Sequence, residues 1–289
     1  MSTKKIGLLL EVSLPDRFGV DKPIAWSTAL AAPIILATAC GTTTPPPQQA
    51  PPAAVPRQQV LPAPVSAEQL AQLPRATTYA KLRGAPKDAT PFAPAKGHVT
   101  HPEQPQVVYA HPGGPPVAIL PTRTLGGPTW VPVVEKRAGW ARVLLPSRPN
   151  RSTGWIYEAG GGLRNAYSAY DVRIDLSAHR LTVFQSAREL GRWKVAVGAP
   201  STPTPLGRTF LLASLIPKHA TYSPRMLPLG THSRVLRTFS GGPGTIAVHG
   251  WPDRSVFGRE ISHGCVRVPA PALRILSRIP LGSSVIIKQ

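Results

Sequence analysis

The sequence predicts a mainly β protein: a small barrel, then a second β-rich region with short helices, both behind a non-globular N-terminal stretch. Three observations predict this. Apolar runs are short, and Gly- and Pro-containing turns separate them, as in small barrels and sandwiches. The 289 residues include 36 Pro and 25 Gly, too many for a helical domain and suited to linkers and turns. Helical patterning is confined to Ala67–Leu73 and to Pro271–Ile279, the latter apolar at Leu273, Ile275, Leu276 and Ile279.

Residues 1–40 read as an export leader. Ile24 to Ala39 is uncharged and mainly apolar, short for a membrane-spanning helix, and ends in small residues. Leu36-Ala37-Thr38-Ala39-Cys40-Gly41 resembles a bacterial lipobox, with Leu36 four residues before the cysteine rather than three. That resemblance implies export, lipidation of Cys40 and anchorage on the outer face of the plasma membrane. Residues 41–100 begin Thr-Thr-Thr-Pro-Pro-Pro and stay Pro-rich to Pro64, a composition that favours extended chain. They are expected to form a tether.

Residues 105–160 carry five short runs: Val107–Tyr109, Val117–Leu120, Trp130–Val134, Trp140–Leu145 and Gly154–Tyr157. With a Pro-Gly-Gly turn, Gly139-Trp140 and a closing Gly154-Trp155-Ile156, the stretch resembles bacterial SH3-like domains. Its tryptophans are expected in the core. From residue 168 a second region begins. Val172–Leu176 and Arg180–Phe184 alternate with period two across Ser-Ala-His, a hairpin, and Trp193–Gly198 continues it. Thr202-Pro203-Thr204-Pro205-Leu206-Gly207 is a rigid turn before a strand at 209–215. Residues 217–233 show no period and read as a loop or lid, with His219 and His232 exposed and Tyr222 and Met226 as candidates to line the pocket. A strand at 244–249 leads to the motif below, and a last strand covers 284–288.

Lys plus Arg total 33 against 13 acids, a formal net charge of +20. Such a field attracts polyanions, with nucleic acid, anionic envelope polymers and lipid headgroups as candidates. The charges are scattered and no nucleic-acid recognition module is legible, so nucleic acid is not the expected partner. The two cysteines, Cys40 and Cys265, sit in different contexts and are not expected to pair.

The chemistry concentrates near the C-terminus. His249 closes the apolar run Thr245–Val248 and precedes Gly250. Ser262-His263-Gly264-Cys265-Val266-Arg267 follows. A thiol needs deprotonation to become nucleophilic, and an imidazole can supply it near neutral pH. Cys265 lies among Ser, His and Gly rather than in an apolar run, which favours chemistry over packing. Gly264 permits a tight turn before the nucleophile, so that a backbone N–H can face a developing oxyanion.

Taken in order, the hairpin at 172–184, the Thr-Pro-Thr-Pro-Leu-Gly turn, Ile246-Ala247-Val248-His249-Gly250 and Ser262–Arg267 resemble the catalytic domain of YkuD-type L,D-transpeptidases over residues 168–289. The resemblance implies a β-sandwich-like catalytic domain that needs no cofactor and no metal. Cys265 then matches the nucleophile and His249 the general base and acid, while Ser262, His263 and Gly264 complete the motif. Arg267 would bind a substrate carboxylate, and Gly250 would lie at the substrate. The implied substrate is a peptidoglycan stem tetrapeptide. Cys265 would form a thioester with loss of the terminal D-Ala, and an amine of a second stem would resolve it into a 3→3 cross-link. A monomer acting on the cell wall is expected.

Three other readings compete. Water as acceptor would give an L,D-carboxypeptidase, or another wall-peptide thiol hydrolase. An inert cysteine would leave a non-catalytic peptidoglycan-binding envelope protein. His249, His263 and Cys265 could ligate zinc, although no fourth ligand stands at a recognisable spacing.

Overall fold

The short apolar runs become strands: strand accounts for 44% of the chain and helix for 8%, which places it in the mainly β class. The computed structural model describes residues 10–12, 59–219 and 222–289. Residues 59–289 belong to one compact unit. The Ile24–Ala39 stretch, Cys40 and the first part of the Pro-rich segment lie outside the described residues; of the expected leader only strand β1 (Leu10–Val12) is described.

The short helix α1 (Ala67–Gln72) is held at its start by a reciprocal cap. Ser66 Oγ accepts the Gln69 N–H at 3.2 Å, and the Gln69 side chain accepts the Ser66 N–H at 2.9 Å. The first lobe contains β2 (His98–Pro102), β3 (Gln106–Tyr109), β4 (Pro116–Leu120), the two-residue ribbon β5 (Arg123–Thr124) and β6 (Gly127–Pro128), β7 (Val131–Arg137), β8 (Trp140–Leu144), β9 (Thr153–Tyr157) and β10 (Leu163–Tyr167). Seven of these form one antiparallel sheet in the order β10-β2-β7-β8-β9-β3-β4. Its core joins Val108, Leu120, Val131, Val143 and Ile156. Trp130, Trp140 and Trp155 are buried, in agreement with the core reading.

One expectation fails here. Residues 59–100 are not a free tether: the Val60 carbonyl accepts the Trp140 Nε1–H at 2.7 Å, and Ala63 and Val65 pack against the Trp140 cluster. Arg75, Lys81 and Lys87 bridge to Ile119, Arg148 and Ser152, and Ala76, Thr78 and Leu82 are buried. The segment is also tied to the second lobe: Asp88 receives two hydrogen bonds from the Arg208 guanidinium, at 2.9 and 3.0 Å, with both side chains buried. A geometry with both carboxylate oxygens engaged compensates charge that burial would otherwise penalise. Prolines fix the local path of this segment, but buried Ala, Thr and Leu side chains decide where it goes.

The second lobe contains β11 (Tyr170–Asp175), β12 (Arg180–Gln185), β13 (Arg188–Lys194), β14 (Val197–Gly198), β15 (Gly207–Phe210), β16 (Leu215–Pro217), β17 (Met226–His232), β18 (Thr245–Gly250), β19 (Glu260–Ser262), β20 (Val266–Val268), α2 (Ala270–Leu276) and β21 (Ser284–Lys288). One sheet runs β13-β12-β11-β21-β15, the other β1-β16-β17-β18-β20. Val172, Ile174, Leu181, Val183, Val285 and Ile287 of the first share a core with Leu227, Leu229, Ile246, Val248, Val266 and Val268 of the second. Ala272, Leu273 and Leu276 of α2 and the following Ile279 complete that core. Two sheets closing on one apolar layer is the sandwich arrangement expected, and burying that layer drives its assembly.

A second expectation is corrected within residues 217–233. Met226–His232 is not a lid but a buried strand between β16 and β18. Pro228 and Gly230 hide it from a propensity reading. Gly230 is there because a Cβ would strike the Phe210 ring. His232, expected at the surface, is fully buried.

Candidate active site

Strand period fixes which side chains share a face. In β18, Ile246 and Val248 enter the core, so Ala247 and His249 point to the opposite face. In β20, Val266 and Val268 enter the core, so Cys265 and Arg267 point to the opposite face, the one that carries Ala247 and His249. The strands run parallel, with Val248 beside Val266 and His249 beside Arg267. Cys265 therefore stands beside Ala247, one diagonal step from His249. Met226 of β17 flanks His249 on its other side.

Each side chain has a defined anchor. His249 is buried, and its Nδ1 donates to the Gly250 carbonyl at 2.9 Å. A carbonyl only accepts, so Nδ1 carries the proton, and in the neutral ring Nε2 keeps its lone pair. Gly250 is held in turn by its N–H, which donates to Ser223 Oγ at 2.8 Å. The Cys265 sulfur accepts the Ala247 N–H at 3.4 Å. Burial pushes the Cys265 thiol up, against the opposing pull of that hydrogen bond and of Arg267. Burial also pushes His249 below the usual imidazole value; its bond to Gly250 opposes this and Arg267 adds to it. Both shifts favour the uncharged forms, a thiol and an imidazole, over a thiolate–imidazolium pair.

The turn before the nucleophile is braced from both sides. Ser262 Oγ accepts the Gly264 N–H at 3.1 Å and donates to the Cys265 carbonyl at 2.5 Å. Gly264 has φ of 113°, and a Cβ there would come 2.9 Å from Ile246 Cδ1. Only glycine takes that conformation without strain. The Thr202–Gly207 turn supports this loop: Thr202 Oγ1 donates to the Ser262 carbonyl at 2.9 Å and Thr204 Oγ1 to the Gly264 carbonyl at 2.8 Å. Thr204 Oγ1 also accepts the Gly198 N–H at 2.9 Å. Ser262 thus positions the loop, and the Gly264 N–H is already committed to it.

His263 is exposed and packs against Phe239, ring centroids 5.2 Å apart. Arg267 lies with its guanidinium 3.7 Å from the Trp251 ring centroid, and its buried Nε has no hydrogen-bond partner among the described residues. Tyr222 packs against both His249, at 5.0 Å, and Trp251, at 4.9 Å. A cleft of about 620 Å³ opens beyond Tyr222, Gly250 and Trp251 toward α2. Cys265, His249, Arg267 and Gly250 are brought together; Cys40 lies outside the described residues. The sequence does not point to Ser223, Trp251 or the bracing by Thr202 and Thr204; Tyr222, a candidate to line the pocket, lines the cleft. The aromatic step from His249 to Trp251 was the one local signal available.

The class defined here is a β-sandwich domain that presents a cysteine and a buried imidazole from neighbouring parallel strands. Residues 169–287 match the YkuD family model, the L,D-transpeptidase catalytic domain. No curated protein matches the chain. Solved structures similar to it include L,D-transpeptidase 3 from Mycobacterium tuberculosis, 17% identical, covering 48% of this chain and 75% of that one with a TM-score of 0.35. An L,D-transpeptidase from Mycobacterium smegmatis is 16% identical and covers 73% of this chain and 94% of that one, with a TM-score of 0.34. An L,D-transpeptidase from Xylanimonas cellulosilytica is 26% identical and covers 42% and 61%, with a TM-score of 0.31.

Proposed function

We propose that the second lobe is a peptidoglycan L,D-transpeptidase that uses Cys265 as nucleophile and His249 as base and acid. The observation that carries this reading is the orientation of His249: its Nδ1 proton is spent on Gly250, so Nε2 is the nitrogen left to take a proton on the face that Cys265 shares. The family match over residues 169–287 supports the substrate class.

The favoured uncharged pair sets the order of events. The Cys265 sulfur attacks the carbonyl preceding the terminal D-Ala of a stem tetrapeptide as Nε2 takes the thiol proton. The tetrahedral oxyanion needs a backbone donor from the turn other than the Gly264 N–H. Collapse breaks the C–N bond, Nε2 returns the proton to the departing D-Ala amine, and a thioester remains. The amine of a second stem attacks the thioester, Nε2 takes its proton, and the thiol is regenerated with a 3→3 cross-link. Arg267, whose Nε is unpaired and whose position Trp251 fixes, receives a substrate carboxylate. Gly250 contributes by aiming the imidazole and by lining the cleft.

The reading extends to the whole chain. Cys40 carries lipid, the protein is exported to the outer face of the plasma membrane, the residues from Gly41 to about 58 act as a spacer, and the first lobe is an SH3-like accessory domain. The protein acts as a monomer. The test is mass spectrometry of products from a purified disaccharide-tetrapeptide. Transpeptidation yields a cross-linked dimer and free D-Ala. Tripeptide alone would mean that water is the acceptor, and unchanged substrate would sink the enzymatic reading.

A further inference from the structure

Away from Cys265, the second cleft of note is lined by six cations drawn from three separated parts of the chain. Lys81 and Lys87 come from the segment that wraps the first lobe, Arg148 and Arg151 from the β8–β9 connection, and Arg234 and Arg237 from the loop after β17. The cleft encloses about 300 Å³. No charge run in the sequence produces the cluster; folding assembles it.

The cluster has a fixed centre and free arms. Arg148 is half-buried and donates to three backbone carbonyls: Ser233 at 2.9 Å, Leu236 at 3.3 Å and Pro243 at 2.9 Å. Asn150 adds a reciprocal pair with His232, its amide donating to the carbonyl at 2.7 Å and its oxygen accepting the N–H at 2.9 Å. These contacts hold the loop of Arg234 and Arg237 against the segment of Arg148 and Arg151. Among the described residues, the side chains of Lys81, Lys87, Arg151, Arg234 and Arg237 make no hydrogen bond or ion pair. The carboxylate beside Lys87 on the wrapping segment, Asp88, is committed to Arg208. The Arg148 pKa is lowered by burial and then by the charge of Arg237. Like charges gathered in a concave site without counter-charge concentrate a positive field, which an anion would relieve.

We propose that this cleft binds a phosphate group, with the planar forks of Arg151, Arg234 and Arg237 gripping its oxygens and Arg148, Lys81 and Lys87 adding charge. Guanidinium forks match tetrahedral oxyanions in pairs, and a cluster of several suits a multiply charged phosphate better than a lone carboxylate. The site lies on residues separate from the Cys265 chemistry and does not depend on it. Two sources carry the same chemistry, a soluble phosphate-bearing molecule or polymer and an anionic lipid headgroup.

The test is calorimetric titration of the full chain with pyrophosphate, beside sedimentation with vesicles containing phosphatidylglycerol. The expected result is saturable binding to one site, weakened about tenfold or more in Arg234→Gln/Arg237→Gln. A control with equal charge loss elsewhere, Lys96→Gln/Arg188→Gln, should stay within about twofold of the parent. Arg234 and Arg237 are exposed, so the double variant should keep its fold, and a thermal melt checks this. Pyrophosphate binding without variant-sensitive vesicle binding assigns a soluble ligand; vesicle binding lost in the same double variant assigns a headgroup. If neither probe binds saturably, or if the control loses as much affinity as the double variant, the site does not exist and the cations are a solvated face.

Discussion

Two buried histidines sit at opposite ends of the β17–β18 pair, and only one shares a sheet face with Cys265. His249 stands opposite Met226, and His232 stands opposite Thr245. His232 Nε2 donates to the Thr78 carbonyl at 2.7 Å and lies 2.9 Å from the Thr78 hydroxyl, while its backbone N–H is taken by Asn150. Burial pushes its pKa down to about 4. It is a neutral strut that pins the wrapping segment to the second lobe. His249 is also shifted toward the neutral form and anchored at one nitrogen, but its anchor is a local carbonyl, and its other nitrogen belongs to the face that Cys265 shares. Burial alone therefore does not separate structure from catalysis; the distinction lies in which nitrogen is spent and what the other one faces.

The comparison can be broken at four points. Cys265→Ala should remove thioester formation and turnover to background while shifting stability by no more than about 1 kcal/mol, as read by product mass spectrometry and thermal melting. His249→Ala should slow acylation by about 10²- to 10⁴-fold in stopped-flow measurements. Because a proton-accepting imidazole must be neutral and the His249 pKa lies below the usual value, the parent's acylation rate should fall only well below pH 6.5. Gly264→Ala forces a residue with a Cβ into φ of 113° and crowds Ile246. It should cost about 1–3 kcal/mol in a denaturant titration and about 10²-fold in acylation through misplacement of the sulfur. The smallest effect on chemistry belongs to His232. A histidine depressed in the folded state is charged first in the unfolded state, so its contribution is intact above pH 6.5 and is lost as pH falls toward 4. Stability should drop by on the order of 3 kcal/mol across that window, and His232→Gln should flatten the slope without changing the acylation rate near neutral pH.

Much of this was legible in residue order because the relevant signals are local. The two-residue alternation of Val172, Ile174, Leu181 and Val183 reads directly as a hairpin, and Ser262–Cys265 reads as a turn that presents a thiol. What escaped is what depends on distant backbone. The Gly250 carbonyl that aims His249 is a main-chain group without a side-chain signature. The Thr202 and Thr204 hydroxyls act on carbonyls about 60 positions away. Strand β17 contains Pro228 and Gly230, each of which argues against a strand until the neighbouring Phe210 ring explains the glycine. The wrapping segment carries the composition of a spacer, and its few buried side chains find their places only on a folded surface. The cationic cleft escaped for the same reason, since its cations are scattered along the chain and meet only in space.

The central claim is that Cys265 carries the acyl group while His249 moves the proton. Intact-mass measurement of the protein after brief exposure to a tetrapeptide donor, followed by peptide mapping, tests it most directly. The account predicts a single added tripeptide acyl group, sensitive to hydroxylamine, on the peptide containing Cys265, accumulating far more slowly in His249→Ala. An acyl group mapped to any other residue, or full turnover in Cys265→Ala, would contradict it.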